Sequence, residues 1–156
     1  MKNRSSDKNP PMQKVVDGLA HFLADTYTLY LKTQNFHWNV RGPHFHSLHK
    51  MFEEQYQALA EAVDVIAERI RALKSLTPAS FAQFLRLTSL EENENAPNAE
   101  EMIRVLLNDH QTIIKNGQSL FAIAQKAGDE VTGDLLLARL DEHEKTAWML
   151  RSTLNL

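Results

Sequence analysis

Apolar residues recur in steps of three and four along most of the chain, and that recurrence divides it into four long helices. Val15, Leu19, Phe22, Thr26, Leu29 and Thr33 predict a first helix over about residues 12–38. Leu48, Phe52, Leu59, Val63, Ile66, Ile70 and Leu73 predict a second. It should open near Pro43, since proline suits a first helical turn, and run until Thr77-Pro78 stops it. At about thirty residues such a helix spans roughly 45 Å, the length of a bundle element rather than of a compact globule. Asn98 is a natural N-cap for a third helix, with Glu100 and Glu101 in its first turn and Met102, Leu106, Ile113, Leu120 and Ala124 along it up to Gly128. Leu136, Leu140, His143, Ala147, Leu150 and Leu154 form the apolar seam of a fourth, over about residues 129–154. His143 falls on that seam and reads as a buried, hydrogen-bonded core residue.

The connection over residues 79–97 is too long for a simple turn. Within it SFAQFLRL, residues 80–87, is patterned as a short helix with Phe81, Phe84 and Leu85 on one side, and the EENENAPN that follows reads as a surface loop. The expected fold class is therefore all-α, a four-helix bundle with a short extra helix in its one long crossover. Residues 1–11, polar and closed by Pro10-Pro11, are expected to be a flexible tail, and residues 12–156 the bundle domain.

Chemistry concentrates between His37 and Glu68. His37 and His49 are separated by twelve residues across Gly42-Pro43, Glu53 follows His49 by four, and Asp64 and Glu68 are again four apart. At about 100° per residue, His49, Glu53, Asp64 and Glu68 share one face of the second helix. They cannot share one metal within a chain, because the rise from His49 to Asp64 is about 22 Å, against ligand bonds of roughly 2 Å. Laying the same helix of a second subunit antiparallel about a two-fold axis solves the geometry, since His49 and Glu53 of one chain then face Asp64 and Glu68 of the other. A turn at Gly42-Pro43 would bring His37 level with His49. The bland alternative is a helix-terminal histidine beside a solvated acidic face, with Arg71 pairing Glu68. Like charges four apart on a helix are unfavourable by only a few tenths of a kcal/mol. Imidazole and carboxylate without sulfur suit Fe(II), Mn(II) or Zn(II) alike.

The string NFHWNVRG, followed by His49, Glu53, Tyr56 and DVIAERI, resembles the Dps family of ferritin-like mini-cages, from about residue 12 to the C-terminus. The resemblance implies a ferritin-like bundle assembling as a homo-dodecameric hollow cage. Its ferroxidase sites would lie between subunits, oxidising Fe(II) preferentially with hydrogen peroxide rather than oxygen and storing the ferric product. Carried over by position, His37 and His49 come from one subunit and Asp64 and Glu68 from its two-fold mate, with Glu53 extending the site. Iron is the implied metal, with zinc a possible substitute. Trp38 and Trp148 match tryptophan positions that could absorb stray oxidising equivalents, although packing at an interface explains them as well. Asp129, Glu130 and Asp134 match acids lining a three-fold pore, Glu130 and Asp134 especially; alone, these acids would read as complementing a helix N-terminus. One departure from the wider ferritin-like pattern matters. No Glu is followed by His three residues later, which argues against a di-iron site inside one bundle.

Charge and composition narrow the picture further. A net charge of −3 argues against a body that coats a polyanion. The tail carries Lys2, Arg4 and Lys8 against Asp7, so an alternative reading is a nucleoid protein holding DNA by salt-sensitive phosphate contacts, with iron chemistry secondary. Cysteine is absent, which leaves no thiolate nucleophile or sulfur ligand. No apolar stretch suits export or membrane insertion, and a cytoplasmic protein is expected.

Overall fold

The computed structural model describes residues 9–154, and five helices account for most of them: α1 (Pro10–Asn39), α2 (Phe45–Ala72), α3 (Phe81–Leu87), α4 (Ala99–Lys126) and α5 (Glu130–Thr153). The four long ones form the expected bundle. α1 packs along α2 and α4, α5 packs along α4, and α2 meets α5 to close the barrel of side chains. Phe22, Phe36, Phe52, Ile66, Ile70, Met102, Leu106, Ile113 and Leu136 fill its interior. α3 lies across α1, where Phe84 stacks on Tyr27 with ring centroids 4.8 Å apart.

The helix ends differ from expectation in instructive ways. Pro10 and Pro11 belong to the first turn of α1, where a missing N–H costs nothing, so the helix absorbs the end of the proposed tail. Pro43 is not a first-turn residue but part of the reversal, and α2 opens two residues later behind His44. The same helix stops at Ala72, well short of Thr77-Pro78. Lys74 there adopts φ 65°, and its amide and that of Ser75 return to the carbonyls of Arg71 and Ile70. This is a left-handed cap of the kind glycine usually makes, so a lysine concealed it. Thr77 then hydrogen-bonds the Ala67 carbonyl at 2.8 Å and folds the chain back along α2.

Buried polar groups hold the crossover in place. The Asp25 carboxylate, inside the bundle, accepts from the Thr88 hydroxyl at 2.8 Å, from the amide and hydroxyl of Ser89 at 2.7 and 2.8 Å, and from Asn116 at 3.1 Å. Lys32 and Asp109 make a buried ion pair of 2.7 Å between α1 and α4. Burial pushes the Asp109 carboxyl above its ordinary value, with the Lys32 ammonium working against that rise. His143 is buried as read, and its partner is His110. Asn98 caps α4 by accepting from the Glu101 amide at 2.9 Å.

Candidate metal centre

His37 lies in the last turn of α1 and His49 in the second turn of α2. The reversal between them depends on Gly42, whose φ of 118° is one that residues with a Cβ rarely adopt. It brings the two imidazoles into a stack, centroids 3.8 Å apart and planes 12° from parallel. Their Nδ1 atoms are then exchanged. His37 Nδ1 lies 2.7 Å from the carbonyl oxygen of His49, and His49 Nδ1 lies 2.7 Å from the carbonyl oxygen of His37.

A carbonyl oxygen only accepts, so each Nδ1 must be the protonated nitrogen that donates. This tautomer of the imidazole has its lone pair on Nε2. Backbone carbonyls orient metal-ligating histidines in this same way, fixing tautomer and ring plane together. Phe45 stacks on His49 at 5.0 Å and Tyr56 meets the His37 ring edge-on at 5.2 Å, which locks the rings further. His37 is buried and His49 half-buried.

The acids stand apart from this pair. Glu53, half-buried, is one turn beyond His49, while Asp64 and Glu68 are exposed on the distant half of α2. Neither neighbouring arginine neutralises them. Arg71 donates to the Ser75 carbonyl at 2.7 Å, and Arg69 turns toward α5. Among the described residues of one protomer, no three His, Asp or Glu side chains gather closely enough to hold a metal ion. One chain therefore offers two imidazole nitrogens at one end of α2 and a pair of carboxylates about 22 Å away.

The proposed pore acids divide. Glu130 and Asp134 are exposed on successive turns of α5. Asp129 is engaged within its own protomer: it is buried, accepts from the amide and hydroxyl of Thr132, and pairs with Arg69 at 2.8 Å. Burial works to raise its carboxyl, but the Thr132 hydrogen bonds and the Arg69 guanidinium together hold it below the ordinary value. It serves as the N-cap that its position before a helix allows. Trp38 and Trp148 are 62% and 58% exposed on the protomer surface. Lys2, Arg4, Asp7 and Lys8 lie outside the described residues.

Comparison with known proteins places the whole arrangement in context. Residues 16–156 match a ferritin-like domain. The chain is 39% identical over 143 residues to DNA protection during starvation protein 2 of Bacillus anthracis, covering 92% of this chain and 98% of that protein. Among solved structures it resembles a Dps protein from Bacillus brevis, with a TM-score of 0.91, 34% identity and coverage of 93% and 97%. It also resembles the Vibrio cholerae Dps protein, described as a member of a broad superfamily of ferritin-like diiron-carboxylate proteins, with a TM-score of 0.90, 28% identity and coverage of 97% and 98%.

Proposed function

The chain belongs to the Dps family of ferritin-like proteins, and from that premise we propose that it is an iron-storing ferroxidase whose sites are each shared by two subunits of a dodecameric cage. His37 and His49 of one chain and Asp64 and Glu68 of its two-fold mate bind Fe(II), with Glu53 beside them. The observation that carries this reading is the exchanged pair of Nδ1 hydrogen bonds, which leaves two preset Nε2 donors with no third ligand among the described residues of their own protomer.

The donor set fits the substrate. Two imidazoles and carboxylates, without sulfur, bind a divalent first-row cation. The anionic oxygens also favour the ferric product over the ferrous substrate, because added negative charge stabilises the higher cation. Two Fe(II) ions lose one electron each to one hydrogen peroxide. Its O–O bond breaks, and with two protons it leaves as two waters, so no hydroxyl radical is released. Zinc would compete for the same ligands by affinity. Glu130 and Asp134 are the acids we assign to an entry pore, without Asp129. Trp38, adjacent to His37, and Trp148 are the residues we assign to quenching stray one-electron oxidants.

Among the described residues no helix is long and apolar enough to cross a membrane, and the proposed setting is the cytoplasm, beside the DNA that iron and peroxide would damage. The test is peroxide-driven Fe(II) oxidation by Asp64→Ala/Glu68→Ala, followed optically, with assembly checked by native mass. Oxidation slowed by more than about 100-fold in an intact cage is expected, because the variant removes the proposed ligands themselves, and loss of a mere supporting partner already costs about 10- to 100-fold. Unchanged kinetics would remove the assignment.

A further inference from the structure

Among the described residues, the buried side-chain nitrogen and oxygen atoms without a hydrogen-bond partner are both amide atoms of Gln55, Nε2 of His110, Nε2 of His143 and Nε of Arg139. These atoms come from three helices, yet the bundle brings them to one level. His37 against His49 and Tyr30 against Tyr56 set the antiparallel register of α1 and α2. Lys32 against Asp109 sets that of α1 and α4, and His110 against His143 that of α4 and α5. Gln55, next to Tyr56, is therefore level with the turn holding Lys32, hence with Asp109-His110, hence with His143. Arg139 lies one turn earlier on α5, and its charge acts on both imidazoles. Gln55, His110 and His143 are only 8%, 2% and 1% exposed.

The histidine pair restricts what could complete this layer. The two Nδ1 atoms are 2.9 Å apart, so one carries a hydrogen and donates while the other accepts through its lone pair. The neutral rings must then be opposite tautomers. One offers a lone pair at Nε2, and the other an N–H. A metal ion would need both Nε2 lone pairs, which requires both Nδ1 atoms to be protonated and breaks the bond between them. An anion would find Arg139 but also the acceptors of Gln55 and of one histidine. A small neutral molecule that both donates and accepts meets every group.

We propose that the bundle interior holds a site for ordered water in which Gln55, Arg139 and the two outer histidine nitrogens are bridged by one or more water molecules. Buried polar groups are nearly always satisfied, and an internal water typically makes about three hydrogen bonds to groups of this kind. The water completes the pairing that the side chains begin. It also accounts for four polar residues in a layer that apolar side chains could otherwise fill.

The test is high-resolution diffraction from crystals of the full chain, with a second set soaked in zinc chloride and measured for anomalous signal. An ordered oxygen hydrogen-bonded to His110 or His143 Nε2 and also to the Gln55 amide or Arg139 Nε supports the site, as does a zinc-free layer. Continuous density without such an oxygen, Gln55 paired directly with a histidine, or zinc between the two imidazoles would overturn it. Crystals of Gln55→Leu give an independent reading. The oxygen beside residue 55 should disappear while the 2.9 Å spacing of the histidines persists; retention of an unchanged oxygen would also overturn the assignment.

Discussion

Arg69 holds Asp129 at 2.8 Å, so the residue beside Glu68 on α2 is clamped to the residue that caps α5. The Arg69 Nε also donates to the Thr132 hydroxyl at 2.9 Å, and Thr132 in turn donates to Asp129. An acid that its sequence neighbours suggest for an ion path is thus a structural tie between two helices. Replacing Asp129 by Ala removes a helix cap and leaves the guanidinium without its carboxylate, for a cost of about 2–4 kcal/mol. The expected result is a clear drop in thermal midpoint with the initial rate of Fe(II) oxidation by intact cages little changed. Slow iron entry with normal stability would return Asp129 to the pore.

The proposed sharing of each site between chains has a sharper consequence than loss of activity. A His37→Ala/His49→Ala chain and an Asp64→Ala/Glu68→Ala chain should each be inactive alone. Co-assembled at random in equal amounts, half of the two-fold pairs are mixed, and each mixed pair has one complete site and one empty of all four ligands. Activity should therefore recover to about a quarter of normal. Stopped-flow oxidation of co-expressed cages checks it; no recovery despite mixed assembly would mean that the ligands come from a single chain.

The buried His110–His143 pair makes stability depend on pH. Burial, first, and the Arg139 charge lower the His110 pKa to about 3. The His143 value is also held well below ordinary, by burial, His110 and Arg139. The unfolded chain takes up these protons near the ordinary histidine value of about 6.5 and the folded chain does not. The stabilisation is therefore present above about pH 6.5 and falls on acidification, by up to about 1.4 kcal/mol per pH unit for each histidine. Thermal midpoints between pH 7.5 and 4.5 should decline, and His110→Leu/His143→Leu should flatten that decline. An equal slope in the double variant would contradict the neutral pair.

We assign DNA retention to the tail, where Lys2, Arg4 and Lys8 stand against Asp7, because the rest of the chain carries the negative balance of charge. Deleting residues 2–8 should abolish retention in gel shifts at low ionic strength, with oxidation kinetics unchanged, and the full chain should lose its hold as salt rises. Binding that survives the deletion would locate the phosphate contacts on the bundle instead.

Much of this protein was legible in one dimension because its causes are local. Apolar spacing within a turn or two laid out the four long helices and the short α3. Asn98 announced the start of α4, and the twelve residues across Gly42 anticipated that His37 and His49 would meet. A proline pair that opens α1 instead of closing the tail, and a lysine at position 74 in the left-handed conformation that glycine usually takes, shifted boundaries.

Other features arise from encounters between distant segments. Asp25 meets Ser89 and Asn116, Lys32 meets Asp109, Arg69 meets Asp129, and His110 meets His143, and in each case the partners lie too far apart along the chain for periodicity to pair them. The same holds for the exchange of Nδ1 hydrogen bonds between His37 and His49. Spacing could bring those residues to one level, but the choice of tautomer follows from where each ring lies against the other's carbonyl. Residue type and interval thus revealed which groups were available for chemistry, while packing settled which stay free: Asp64 and Glu68 are left facing outward, and Asp129, equally acidic, is spent inside.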